Sequence, residues 1–179
     1  MGSPSSRKTR RIKRKGIIEH HHLLLRLETE KCPRAADRAA VKELLDKIIA
    51  EIGMNPLDTT RIYYVTQPIY NEGMTAIVPI QTSHIAFHFW SAPEASILTN
   101  PKSKCLLQMD LYTCGKLTRH QVGTLLHHLT RFQPTHTEIT LLNRKYGLSL
   151  ERHTHWDVDN DNSWPTWINK HFLTRLDKI

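Results

Sequence analysis

The chain has 179 residues and a mass of 20.8 kDa, the size of one domain with a short extension. Its 39 % hydrophobic and 23 % charged residues exclude disorder throughout, and no apolar run approaches the roughly 20 residues that span a bilayer. The formal charge of +8 is localised: seven Lys and Arg fall within residues 1–16 with no acid among them, and the remaining 18 basic and 17 acidic side chains leave +1 for the rest.

Residues 1–16 combine Gly, Ser, Pro and this positive run, a composition too poor in apolar surface to offset its ordering entropy. They read as a disordered basic arm, either solubilising or contacting nucleic acid or an acidic protein. A folded domain is expected over 17–147 and an extension over 148–179. Ile17 to Leu27 reads as a first strand. Val41, Leu44, Leu45, Ile48, Ile49 and Ile52 then recur at helical spacing, with Pro33 before them and Gly53 just after.

Beyond Asn55–Asp58 the pattern becomes β-branched and aromatic, giving strands at Arg61–Thr66, Thr75–Ile80, His84–Trp90 and Leu106–Tyr112. Thr118 followed by Gln121 is a capping-box pattern opening a second helix through Val122, Leu125, Leu126 and Leu129, and Glu138–Leu142 reads as a further strand. The order β-α-β-β-β-β-α-β predicts an α+β two-layer sandwich, an antiparallel sheet with two helices on one face. The C-terminal extension contains a helix opened by Ser163 and Pro165, whose stripe Ile168, Phe172, Leu176 and Ile179 packs on the domain or on a partner.

Cys32, Cys105 and Cys114 are odd in number and lack C-x-x-C spacing, so no disulfide framework or zinc site is expected and a reducing cytoplasm is the default compartment. His20, His21 and His22 imitate a metal site, but adjacent strand residues alternate faces and at most two could share an ion. Asp157, Asp159 and Asp161 imitate a calcium loop, yet Asn162 stands at the turn glycine and Ile168 at the bidentate glutamate. No metal is expected.

TSHIAFHFW at 82–90 and DLYTCG at 110–115 carry the chemistry. Together they resemble the bacterial S-adenosylmethionine decarboxylases, pyruvoyl-dependent enzymes of polyamine synthesis with a Ser-His-x-x-x-His-x-Trp core followed by Asp-(hydrophobic)-(aromatic)-Thr-Cys-Gly. Ser83, His84, His88, Trp90, Asp110, Thr113, Cys114 and Gly115 occupy those places. The resemblance implies that the chain cleaves itself between Thr82 and Ser83, converting Ser83 into a pyruvoyl cofactor at the head of 83–179. It implies that His88 assists that cleavage and that Cys114 protonates the product carbanion after the substrate amine has joined the pyruvoyl and lost carbon dioxide. His22, His84, Trp90 and Glu94 are the implied substrate-binding residues.

On a regular strand Ser83 and His88 point to opposite faces, so Ser83 is expected in strained geometry at the turn before the strand. The chain differs from the family pattern at Thr82, where the family has glutamate, and at Glu94, four residues beyond Trp90 rather than two. It also has 19 residues between Trp90 and Asp110, a long connection of the kind that gates or reshapes a site.

The leading expectation is therefore a cytoplasmic, self-processing decarboxylase of S-adenosylmethionine, a homodimer with active sites built from both protomers and no membrane association. The alternatives are a decarboxylase of another amino acid, such as ornithine or arginine, or an unprocessed homologue that binds or regulates.

Overall fold

The computed structural model describes residues 19–159 and 162–176; the basic segment 1–16 lies outside them. Strands β1 (His21–Thr29), β2 (Arg61–Val65), β3 (Gly73–Ile80), β4 (Ser83–Trp90), β5 (Cys105–Thr113), β6 (Pro134–Asn143) and β7 (Ser149–Asp157) form one sheet in the order β2-β3-β4-β5-β1-β6-β7. Every neighbouring pair is antiparallel. Helices α1 (Arg38–Glu51) and α2 (Arg119–Leu129) cover one face. The architecture is the expected α+β sandwich.

The helices form where the sequence supplies both a stripe and punctuation. Val41, Leu44, Leu45, Ile48 and Ile49 of α1 are all buried, and Gly53, at φ +67°, turns the chain out of the helix in the left-handed conformation that glycine adopts without steric cost. In α2 the Gln121 N–H donates to Thr118 Oγ1 at 3.2 Å, while the Thr118 N–H donates back to Gln121 Oε1 at 3.0 Å. This is the capping box written in the sequence.

The 148–179 extension contributes a strand as well as a helix. Ser149–Asp157 pairs with β6 as the edge strand β7. Helix α3 (Trp164–Ile168) continues through a π-helical stretch Asn169–Leu173 into Thr174–Leu176, burying Trp164, Trp167, Ile168, Phe172 and Leu176. Ile179 of the expected stripe lies outside the described residues. The segment packs beside α2, where Leu173 Cδ1 would lie 3.2 Å from a Cβ built on Gly123. It thus joins the existing helical layer and core, and among the described residues no helix covers the opposite sheet face.

The expectation of unpaired cysteines is corrected: Cys32 and Cys105 are disulfide-bonded, with Cα atoms 5.7 Å apart, and Cys114 is free. The pairing follows from register. Thr29 lies opposite Cys105 at the β1–β5 border, so the chain leaving β1 carries Cys32 past it. A separation of 73 residues hides this from any spacing rule. Among the described residues no helix is long and apolar enough to cross a membrane.

Registers across the open face place side chains in rows. One row runs Thr75, His88, Gln108, Arg26, Glu138; the next runs Ile77, Ala86, Asp110, Leu24, Thr140; a third runs Pro79, His84, Tyr112, His22, Leu142. Residues 91–104 fold over the end of the face beyond the first row. There Glu28 accepts hydrogen bonds from the Thr99 and Asn100 N–H groups and from the Ser103 hydroxyl.

Candidate active site

Strands β3 and β4 are joined by Gln81 and Thr82 alone, with Ile80 paired to Ser83. Two-residue hairpins normally place positive φ on their central residues, but among the described residues the non-glycine positions with positive φ are Ser83, at +148°, and Gln133. The twist mismatch therefore falls on Ser83, in a backbone region that L residues rarely adopt. The preceding carbonyl, Thr82 O, accepts a hydrogen bond from the Cys114 N–H at 2.8 Å. That donor polarises the carbonyl and stands where negative charge would develop if it were attacked. Ser83 is thus the first residue of β4, paired with Ile80 and Thr113, and not the residue of the preceding turn that parity predicts; the turn is Gln81 and Thr82 alone, and the positive φ falls on a ladder residue.

The Ser83 hydroxyl lies 3.2 Å from His84 Nδ1. The other ring nitrogen of His84 faces Asp110 Oδ1 at 3.6 Å, and the same carboxylate oxygen accepts from His22 Nε2 at 2.5 Å. Tyr112, two residues beyond Asp110 on the same face of β5, anchors the margin. Its hydroxyl is hydrogen-bonded to His20 Nδ1 at 2.9 Å, and the Arg144 guanidinium sits 4.4 Å from its ring centroid. One end of the open face thus gathers Ser83, His84, His22, Asp110 and Tyr112, with the exposed Cys114 just past the end of β5.

His88, Trp90 and Glu94 do not join this cluster. Five residues of extended strand separate His88 from Ser83, about 17 Å at the usual rise. His88 Nδ1 is hydrogen-bonded to Thr75 Oγ1, its ring lies 4.0 Å from that of Trp90, and burial lowers its pKa. Its Nε2 is buried without a hydrogen-bond partner among the described residues. Trp90 donates its indole N–H to Asn71 Oδ1 at 3.1 Å. Glu94 is exposed in the 91–104 connection. Between the two ends lies an open groove of about 600 Å³ floored by Leu24, Ile77 and Ala86, with His88, Gln108, Asp110 and Glu138 among its polar walls.

The family model for S-adenosylmethionine decarboxylase matches residues 21–145, which run from the first residue of β1 to just beyond β6 and include both motif strands. The chain belongs to the S-adenosylmethionine decarboxylase family. A search of curated proteins finds no match to it. Membership carries, at the level of the family, a decarboxylase of polyamine biosynthesis, generally pyruvoyl-dependent.

The residues that a pyruvoyl cofactor would require fit this decarboxylase frame. A hydroxyl sits at the strained junction, an imidazole nitrogen lies within hydrogen-bond distance of it, and an N–H holds the carbonyl that precedes it. Among the described residues no group of three or more His, Cys, Asp or Glu is arranged to hold a metal ion. The linkage of Asp110 to both histidines, the Tyr112 anchor and the roles of His20 and Arg144 were not readable beforehand. Their one sequence signal is that alternate residues of a strand share a face.

Proposed function

We propose that the chain is a self-processing, pyruvoyl-dependent decarboxylase acting on S-adenosylmethionine. The observation that carries this reading is the Thr82–Ser83 junction, where backbone strain, a polarised carbonyl and a partnered hydroxyl coincide. Ser83 Oγ attacks the Thr82 carbonyl carbon, and collapse breaks the Thr82–Ser83 peptide bond to leave an ester with a free amine on Ser83. Loss of the Ser83 Cα proton expels the Thr82 carboxylate and leaves dehydroalanine. Its tautomer takes up water and releases ammonia, giving the pyruvoyl head of 83–179. Once formed, that group supplies a carbonyl electron sink for decarboxylation, while Cys114 stands at the junction as the proton donor.

Intact-mass measurement tests the proposal. After incubation at neutral pH the 20.8 kDa chain is expected to resolve into two chains meeting at Thr82 and Ser83. A single uncleaved species would overturn the reading and leave an unprocessed member that binds or regulates. The β-branched Thr82 in place of glutamate favours slow rather than absent cleavage, because it crowds the attacked carbonyl. Comparing S-adenosylmethionine with ornithine and arginine as substrates of the processed protein separates the substrate alternatives. The proposed location is the cytoplasm; the Cys32–Cys105 bond is the feature that bears against a reducing compartment.

The active form we propose is a homodimer. Ile77 is 45 % exposed on the open face, beside Leu24 and Ala86, and two-fold pairing is the commonest way for such a face to cover itself. A two-fold axis along the Ile77–Ala86–Asp110 row would lay the His88 row of one copy over the His84 row of the other. The partner's His88 then reaches Ser83, which a protomer's own His88, about 17 Å away along the strand, does not. Light scattering is expected to give about 42 kDa, twice the chain mass of 20.8 kDa; a value near the chain mass would refute the dimer.

A further inference from the structure

We infer that His84 takes the Ser83 hydroxyl proton in the attack that begins self-processing, and that Asp110 is the positioning residue holding His84 in the accepting tautomer. The inference rests on the self-processing reading and assigns the group that performs its first step.

Among the described residues, Ser83 Oγ has its hydrogen bond with His84 Nδ1, at 3.2 Å. For Nδ1 to accept that proton, the ring must carry its own hydrogen on Nε2. Asp110 decides this. Its Oδ1 lies 3.6 Å from His84 Nε2, and a carboxylate accepts and never donates, so a proton on Nε2 is favoured and a lone pair there is not. The same carboxylate is fixed by His22, whose Nε2–H donates to it at 2.5 Å.

The register explains why the three meet. His84 lies opposite Tyr112, Tyr112 opposite His22, and Asp110 one pleat along on the same face. His88 is excluded from this role within its own protomer by its distance along the strand, and Cys114 already faces the carbonyl through its N–H.

The step balances within the chain. The Oγ proton passes to His84 Nδ1 as the bond from Oγ to the Thr82 carbonyl carbon forms, and the resulting oxyanion is held by the Cys114 N–H. As the C–N bond breaks, His84 returns that proton to the departing Ser83 nitrogen. Ester and amine remain, His84 is neutral again, and no outside reactant is consumed.

The test follows cleavage of the full chain by intact mass, with and without hydroxylamine, which splits esters but not peptide bonds under mild conditions. General-base assistance contributes about 10²- to 10⁴-fold, so His84→Ala is expected to slow cleavage by about 10²-fold or more. The variant should stay at 20.8 kDa even with hydroxylamine, because no ester forms. Added imidazole should restore part of the rate, which no purely structural loss permits. Asp110→Asn is expected to slow cleavage by about 10-fold or more, as the accepting tautomer is lost, with Asp110→Glu recovering part of it.

His84 and Asp110 each expose 38 % of their side chains, so folding should survive, and His84→Asn serves as a second variant of similar polarity. Wild-type cleavage with an unaffected His84→Ala rate overturns the inference alone, as does an ester that accumulates in His84→Ala and yields to hydroxylamine. A wild type that never cleaves overturns the self-processing reading and this inference with it.

Discussion

Cys114→Ala is expected to leave self-cleavage within a few-fold of wild type while lowering decarboxylation by about 10²- to 10⁴-fold, the range general acid catalysis supplies. The two activities separate because Cys114 offers two groups. Its N–H donates to the Thr82 carbonyl at 2.8 Å, and alanine keeps that donor in place. Its thiol is free and exposed beyond the end of β5, at the junction where Ser83 is proposed to become the cofactor, and alanine removes it. Intact mass follows the first activity and carbon dioxide release the second. Equal loss of both would mean that the thiol itself works in maturation, and unchanged decarboxylation would remove Cys114 from the proton-transfer role.

What could be read in the sequence follows from how locally each feature is determined. Helix α2 was legible because its start is written twice, in the capping box at Thr118 and Gln121 and in the stripe that follows. Strands β3, β4 and β5 were legible because their alternate residues enter the core, as Ile85, Phe87 and Phe89 do. β7 was not. Its SLERHTHWD buries Trp156 alone, so no apolar alternation marks it, and what makes it a strand is the ladder offered by β6. Ile168, Phe172 and Leu176 of the C-terminal stripe are buried as expected, but the stripe did not give the layer it would join, since a stripe specifies that a face is covered and not by what.

The site divides in the same way. Ser83 and Cys114 come from motifs; parity, together with the needs of a peptide that cleaves, predicts strain at Ser83 but in the turn, whereas Ser83 lies in the ladder of β4. That Asp110 would touch both His22 and His84 depends on the order β4-β5-β1, a fact of three strands from distant parts of the chain. The five-residue interval between Ser83 and His88 was legible from the start. Only the straight strand turns that interval into a distance that forbids contact within one protomer.

Glu28→Gln is expected to lower stability by about 3 kcal/mol at neutral pH and the thermal midpoint by about 6–12 °C for a chain of this size. Glu28 is fully buried, which by itself would raise its pKa. The Asn100 N–H, the Ser103 hydroxyl, the Thr99 N–H and the Arg26 guanidinium outweigh that cost and bring the value down to about 2 from 4.5. A folded-state pKa below the unfolded one means that the ionised carboxylate stabilises the fold. The contribution is complete above about pH 5 and is lost as pH falls from there through about 2.

Glutamine matches the shape and not the bonding. One of its two ends becomes an NH₂ facing groups that are themselves donors, and Arg26 keeps the Ile97 carbonyl but has Glu138, at 3.6 Å, as its remaining carboxylate partner among the described residues. The consequence reaches the site because Glu28 pins residues 91–104 over the end of the open face that holds His88 and Trp90. In the proposed dimer that end lies against the partner's Ser83. Thermal melts of wild type and variant at stepped pH decide the matter: the gap between them should be widest at pH 6–7 and narrow steadily as the wild-type carboxylate protonates. A gap that stays constant down to pH 3, or one under about 2 °C at neutral pH, would mean that Glu28 does not hold the connection in place.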